Sequence, residues 1–300
     1  MSDASPLVSI VIPTYNHAHY LGEAIESALG QDAVLLEVIV VDDGSEDDPA
    51  AIVGRYPGVR LIRQANAGLA AARNTGWRAA NCRYLVFLDA DDRLMPGALS
   101  TNLESFRTRP DCAFVYGAYR FIRADGSVRN EANFTEIGPD PFETFLRGNA
   151  IGMHATVMYR REALEESGGF DRALRACEDY DLYLRLSRRH PVASRRRCLA
   201  EYRMHDANMS RKTSFMLHWA LLALRRQRGE SERSDKLRAA YRAGLRNWKR
   251  IYLRRQLAAV RRERTGAAVG DFLKVALAAP AELVGLAVGL TTRRFYRRRS

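Results

Sequence analysis

Three runs in the first ninety residues are apolar almost without interruption: LVSIVIP (7–13), LEVIVVD (36–42) and YLVFLD (84–89). A strand with one wet face alternates apolar and polar residues, so runs of this kind belong to strands buried on both faces. Stretches with helical spacing separate them. HYLGEAIESAL (19–29) places Leu21, Ile25 and Leu29 on one face, a second helix runs from Ala50 to Tyr56, and GLAAARNTGWRAA (68–80) forms a third. A short strand, VRLIR (59–63), lies between the last two. This alternation predicts an α/β fold with a mostly parallel sheet and helices on both faces. Right-handed crossovers then bring the strand C-termini to one edge of the sheet.

Open α/β sheets bind ligands at that edge. The sequence fills it with Thr14, Tyr15 and Asn16 after the first strand, Asp42 and Asp43 after the second, and Asp89, Asp91 and Asp92 after the fourth. One pair alone, such as Asp42-Asp43, is accounted for by turn and helix-cap chemistry. Three strand ends loaded together argue for a site. The carboxylates of LDADD repel one another unless a cation sits among them, and a hard divalent ion takes oxygen ligands of this kind.

Two α/β chemistries are excluded. A dinucleotide fold needs GxGxxG after its first strand, where this chain reads PTYNHAHYLG, and no GxxxxGK[ST] phosphate loop is present. The ligand must therefore be held by side chains and a metal. Cys82, Cys112, Cys177 and Cys198 lack CxxC spacing, which suggests neither a zinc site nor a disulfide framework and fits a reducing cytoplasm. The opening MSDASPLVSIVIP has no basic n-region and no signal-type apolar core.

Past residue 110 the pattern changes. AFVYGAYRFIRADGSVR (113–129) reads as a β-hairpin turning at Asp125-Gly126, and HATVMYRREAL (154–164) as a strand entering a helix. SGGFDRALRACEDYDLYLRLSRR (167–189) passes from a glycine turn into an amphipathic helix with Glu178 and Asp179 at its start. No internal repeat or low-complexity linker is present.

SIVIPTYN, VVDDGS, NAGLAAARNTG, FLDADD and GGFD…EDYDLYLRL, in this order and spacing, resemble glycosyltransferase family 2 with its GT-A fold, over about residues 7–210. The resemblance implies an inverting enzyme that uses a nucleotide sugar, usually UDP- or dTDP-linked. Pro13, Thr14 and Tyr15 would line the base pocket, and Asp42, with Asp43 beside it, would take the base N–H or the ribose. Asn66, Gly68, Arg73 and Asn74 match the NxG…RN stretch. There Gly68 opens a helix favourable to phosphate, and Arg73 would add a bidentate contact. Asp89, Ala90 and Asp91 match the DxD motif: Asp89 would meet the ribose, while Asp91, with Asp92 as its neighbour, would hold Mg²⁺ or Mn²⁺ against the diphosphate. Glu178 and Asp179 match the ED pair, with Asp179 preferred over Glu178 as the base, and Asp181 caps or pairs on the same helix. His205, in YRMHDANMS, is the candidate to meet the metal or diphosphate. His154 reads as structural or near the acceptor, and His17 and His19 as parts of the loop over the nucleotide.

Charge divides the chain at the same place. The first 210 residues carry 24 Lys and Arg against 29 Asp and Glu; residues 211–300 carry 23 against 6. The expected organisation is a catalytic domain over 1–210 and a basic helical extension over 211–300 that faces an anionic partner. HWALLALRRQ (218–227) and LRAAYRAGLRNWKRIYLRRQLAAVRRER (237–264) read as helices. DFLKVALAAPAELVGLAVGL (271–290) is apolar except for Asp271, Lys274 and Glu282, which recur near one stripe. That segment is short for a span and contains Pro280, so a helix lying in the membrane plane fits better. Nucleic acid matches the charge alone, but the apolar segment beside it favours an anionic membrane surface. The several spans and QxxRW motif of processive synthases are absent, which points to single-sugar addition. The expected protein is cytoplasmic, lies peripherally against the inner face of the cell membrane, and extends a glycan or lipid-linked acceptor. The alternatives are a nucleotide-sugar-binding module without catalysis, or a nucleic-acid binder acting through the tail.

Overall fold

A computed structural model describes residues 7–31, 35–206 and 208–284. The chain forms two compact units, one of residues 1–145 with 149–205 and one of residues 146–148 with 206–300.

Unit one begins with the expected alternation: β1 (Leu7–Thr14), α1 (Ala18–Leu29), β2 (Leu35–Asp42), α2 (Pro49–Val53), β3 (Arg60–Arg63), α3 (Leu69–Ala79) and β4 (Tyr84–Phe87). β1 pairs in parallel with both β2 and β4, and β2 with β3. Every residue from Val8 to Thr14 is buried, so both faces of β1 are covered and the run cannot alternate. Val8, Ile10 and Ile12 pack with Leu21, Ala24 and Ile25 of α1. On the opposite face α3 comes so close that a Cβ on Gly76 would stand 2.2 Å from Val11 Cγ1.

The rest of the unit comprises β5 (Arg93–Leu94), α4 (Ala98–Thr108), β6 (Phe114–Arg123), α5 (Pro141–Arg147, whose last two residues belong to unit two), β7 (Met158–Arg160), α6 (Arg161–Ser167), α7 (Glu178–Ser187) and β8 (Val192–Met204). The sheet order is β3-β2-β1-β4-β7-β6-β8-β5. β7 runs antiparallel to β4 and β6, while β6 and β8 are parallel to each other. The predicted hairpin is shorter than expected. Gly126 N–H donates to the Arg123 carbonyl and closes the turn, but the return is limited to bridges at Val128 and Asn133.

Unit two contains α8 (Thr213–Arg225), α9 (Arg228–Ser231), α10 (Asp235–Glu263) and α11 (Gly266–Ala278). The expected in-plane helix over 271–290 is revised over its described part: α11 starts earlier and ends at Ala278, and the chain is helical again over 280–284 with Pro280 at the first position, where its ring is tolerated, while 285–290 lie outside the described residues. Glu282 is buried with Oε2 lacking a hydrogen-bond partner, so it is not on a polar stripe with Asp271 and Lys274. Residues 285–300 lie outside the described residues. Among the described residues, no helix is long and apolar enough to cross a membrane.

Candidate active site

The C-terminal ends of β1, β2 and β4 form one edge, and the loops there are tied together. Asn16 adopts a left-handed conformation (φ 56°), which asparagine tolerates better than most residues. Its N–H donates to Ser45 Oγ at 3.0 Å, and its Oδ1 accepts from Glu46 N–H at 2.9 Å. Ala18 N–H donates to Asp47 Oδ2 at 2.7 Å. His17 is thereby set at the N-cap of α1. Pro13 and Thr14 are buried, with Thr14 Oγ1 lacking a partner, whereas Tyr15 is exposed.

Asp42 and Asp43 are both buried and engaged. Asp42 Oδ1 accepts from Ser45 N–H at 2.8 Å, and its other oxygen meets Arg63 Nε at 3.2 Å. Asp43 Oδ1 accepts from Gln64 Nε2 at 2.7 Å and Ala67 N–H at 2.9 Å, and Oδ2 from Gly68 N–H at 2.8 Å. Asp43 therefore shapes the loop into α3. Gly68 opens α3 with φ 91°, as anticipated, but its own N–H is spent on Asp43. Asn66 is exposed beside it.

Two residues of α3 are engaged within the protein. Asn74 is buried, and its side chain is fully used: Nδ2 donates to the Phe170 carbonyl at 2.7 Å, while Oδ1 accepts from Phe170 N–H and Trp77 Nε1. It fastens α3 to the 168–170 turn. Arg73 is also buried, and is neither a free phosphate ligand nor part of a surface ion pair. One guanidinium nitrogen meets Asp89 Oδ1 at 2.7 Å, the other Glu178 Oε1 at 2.5 Å. Burial alone would lower the Arg73 pKa; Asp89 and Glu178 outweigh it and hold the guanidinium charged.

The three acids after β4 part ways. Asp89 leans to Arg73, and Ala90 is buried. Asp91 Oδ2 lies 2.8 Å from His205 Nε2 at the end of β8. Asp92, expected beside Asp91 at the metal, turns the other way. Its Oδ1 accepts from Arg203 N–H at 2.8 Å, and burial, helped by the neighbouring Asp91 and Asp89, pushes its pKa well above the usual carboxylate range. Ligand atoms of His17, Asp91 and His205 all lie within 4.8 Å of one another, and these three form the candidate cation set among the described residues.

Sequence reasoning missed Arg203. It is 1% exposed and lies over the Tyr20 ring at 4.7 Å. Its side chain donates to the Asp91 carbonyl at 2.9 Å, the Ala124 carbonyl at 2.8 Å and Glu23 Oε2 at 2.6 Å. The residue fixes the turn that presents Asp91. The available signal was an arginine two residues before His205 on a strand due for burial.

At the start of α7 Cys177 is left-handed (φ 58°), and three acids follow in the first turn, where the helix dipole favours negative charge. Glu178 is held by Arg73. Asp179 is half-buried, with Oδ1 accepting from Tyr180 N–H at 2.7 Å. Burial raises both acids, with Arg73 opposing. Asp181 pairs with Arg185 at 2.7 Å, as anticipated. His154 is buried against Phe87 and Phe170 with Nε2 at 2.9 Å from Tyr159 Oη; burial depresses its pKa, consistent with a structural role.

A family model for "Glycosyl transferase family 2" matches residues 9–168, from β1 to just past α6. The chain belongs to glycosyltransferase family 2. Over 212 residues it is 34% identical to a chondroitin synthase of Escherichia coli, covering 69% of this chain and 30% of that one. The chain spans a third or less of the chondroitin and hyaluronan synthases that it matches. A Bacillus subtilis protein named as a teichuronic acid biosynthesis glycosyltransferase is 31% identical, with 70% of this chain and 84% of that one covered. This family member also has the fold of a Pyrobaculum calidifontis mannosyltransferase solved with GDP-Man and Mn²⁺ (TM-score 0.63, 19% identity, 97% and 81% covered). Staphylococcus aureus TarS 1-349 with UDP gives a TM-score of 0.58 at 18% identity, with 93% and 91% covered. The chain thus combines membership of a glycosyltransferase family with polysaccharide-synthase relatives and a GT-A-like mixed sheet.

Proposed function

We propose that the chain is an inverting, metal-dependent glycosyltransferase. It moves one sugar from a UDP- or dTDP-linked donor to a hydroxyl of a glycan or lipid-linked acceptor in cell-surface polysaccharide or lipopolysaccharide synthesis. The observation that carries this reading is the division of labour at one sheet edge: Asp91 with His205 on one side, and Asp179 at the start of α7 on the other. Because Arg73 holds Glu178, Asp179 is the acid of the pair left to take a proton. Its raised pKa suits a group that must accept one from a hydroxyl.

The side chains present suit a divalent ion, Mn²⁺ or Mg²⁺. A ring nitrogen of His17 lies within 4.8 Å of ligand atoms of Asp91 and His205, and the ring's Nδ1 has no hydrogen-bond partner, so the histidine has donor capacity to spare. When bound, such an ion supplies positive charge that stabilises the departing diphosphate. On the protein side, Asp42 accepts a base or ribose donor next to Tyr15, Asp89 is steadied by Arg73 for the ribose, and Asp179 deprotonates the attacking hydroxyl.

The tail reading is an anionic membrane surface, with nucleic acid as the disfavoured partner. It draws on the basic excess of residues 211–300 and on an exposed apolar stripe of α11, Val269, Leu273 and Leu277, at i, i+4, i+8 spacing. The enzyme would then lie at the inner face of the cell membrane.

The test is release of nucleoside diphosphate from UDP- and dTDP-sugars in the presence of metal and acceptor, with Asp179→Asn as the diagnostic variant. The amide keeps the shape but cannot accept a proton, so kcat should collapse by about 10²-fold or more while donor binding stays near wild type. An unchanged kcat would move the base away from Asp179.

A further inference from the structure

The expected partner of Asp91 at the metal was Asp92, and Asp92 is committed elsewhere, under the Arg203 N–H. What stands in its place is a second imidazole. His17 comes from the β1–α1 loop, Asp91 from the β4–β5 turn and His205 from the end of β8, and the first two are fixed by contacts of their own while the His205 ring lies against Tyr20. The left-handed Asn16 and its two bonds to the 45–46 loop set His17. The Asp92 N–H to Asp89 carbonyl bond, at 3.0 Å, and the Arg203 guanidinium on the Asp91 carbonyl set Asp91. The His17 and His205 ring centroids are 5.5 Å apart, inclined at 59°. Donor atoms on one ion with bonds of about 2.1 Å stand roughly 3–4 Å apart. The observed spread of up to 4.8 Å needs only a rotamer-scale closure.

An independent observation is that His17 carries a ring nitrogen, Nδ1, that is buried without a hydrogen-bond partner. A buried polar atom without a partner costs free energy unless something completes it. Solvation of a loop over a nucleotide would not require that atom to be shielded.

We propose that His17 is a third protein ligand of the divalent ion, and that two imidazoles beside a single carboxylate make this site select Mn²⁺, Fe²⁺ or Co²⁺ over Mg²⁺. The inference rests on the metal-dependent reading above and deepens it. Magnesium is hard, takes oxygen donors and gives up water reluctantly. Imidazole nitrogen is a borderline donor, and affinity for it rises from Mn²⁺ through Fe²⁺ to Co²⁺. Three protein donors leave coordination positions open for diphosphate oxygens.

The experiment uses the full, metal-stripped chain without any donor sugar. Mn²⁺ binding is followed by isothermal titration and by electron paramagnetic resonance, with Mg²⁺ as competitor. Wild type should bind Mn²⁺ at least about tenfold more tightly than Mg²⁺. Spin-echo modulation should report two coupled imidazole nitrogens, and only one in His17→Ala. Because even outer-shell changes weaken metal sites by about 10- to 100-fold, His17→Ala should lose at least about tenfold in Mn²⁺ affinity. His17→Gln, which keeps the bulk but offers an amide oxygen, should narrow the gap between Mn²⁺ and Mg²⁺, and circular dichroism checks that both variants are folded. If His17→Ala binds Mn²⁺ as wild type does while Asp91→Ala does not, His17 is no ligand and the metal-dependent reading stands. Equal wild-type affinity for Mg²⁺ and Mn²⁺ overturns the selectivity. If Asp91→Ala also leaves Mn²⁺ binding untouched, both this inference and the metal assignment fall.

Discussion

Replacing Arg73 with methionine keeps most of the side-chain volume and removes the cation shared by Asp89 and Glu178. Glu178 is the more sensitive partner because its side chain is 5% exposed, against 32% for Asp89. Without Arg73, an ionised Glu178 would be a buried charge with no counter-ion, so in the folded variant it stays protonated. Unfolded, it ionises above its ordinary pKa. Folding of the variant therefore takes up a proton, and its stability falls as pH rises. The wild type behaves the same way only up to about pH 7, the value to which burial pushes Glu178 against the opposing pull of Arg73. Above that, the wild-type carboxylate ionises in place and stability levels off. The gap between the two proteins should widen only on the alkaline side.

The magnitudes follow. At about pH 6 the variant loses charge-assisted hydrogen bonds, worth about 2 kcal/mol in net terms. Each pH unit above 7 adds about 1.4 kcal/mol, so about pH 8.5 brings roughly 2 kcal/mol more. The resulting total of about 4 kcal/mol sits within the 3–5 kcal/mol typical of a buried ion pair broken from one side. The assay is urea unfolding at both pH values, read through hydrogen exchange of β1 and β4 peptides so that unit one alone is reported. Adding Glu178→Gln to the variant should shrink the pH dependence of the difference, leaving only the share of Asp179, whose raised pKa Arg73 also opposes. A destabilisation equal at both pH values, or a pH dependence undiminished in the double variant, would refute the argument.

Three further outcomes are expected. The acid limb of kcat/KM should lie above the ordinary aspartate range of about 4, because burial raises Asp179 and activity is lost as pH falls through that raised value; the limb should persist in Glu178→Gln, and a limb at about 4 would reject Asp179 as the base. Arg203→Lys should weaken Mn²⁺ binding without unfolding the chain, since a single ammonium cannot reproduce the three side-chain contacts that steady Asp91; titration of metal into the variant decides it. Deleting residues 268–300 removes five Arg and one Lys together with the α11 stripe, and each basic residue near an anionic surface contributes about 1 kcal/mol. Binding to anionic liposomes, measured by flotation, should fall sharply while donor affinity persists, and unchanged flotation would make α11 a packing helix.

What could be read from the sequence is what an element encodes by itself. β1, β2 and β4 are mostly apolar because their buried stretches are covered on both faces, and that property is visible in four to eight residues without knowing what covers them. β7, three residues long and antiparallel between β4 and β6, has no such signature; its direction depends on what surrounds it. The site divides along the same line. That acids gather after β4 is local information, but which of them faces a ligand is not. Asp91 and Asp92 are neighbours of one chemical type, and only the passage of β8 beside the turn, 111 residues later, sends Asp92 to the Arg203 N–H and leaves Asp91 with His205. Arg73 was more accessible than it first looks. It follows three alanines on a helix that must be covered, and an arginine on a buried helix face has to find carboxylates inside the protein. The chain offered only acids gathered at that same sheet edge. An arginine assigned to phosphate could have been reassigned, from the sequence alone, to the acids it would otherwise have left without a counter-charge.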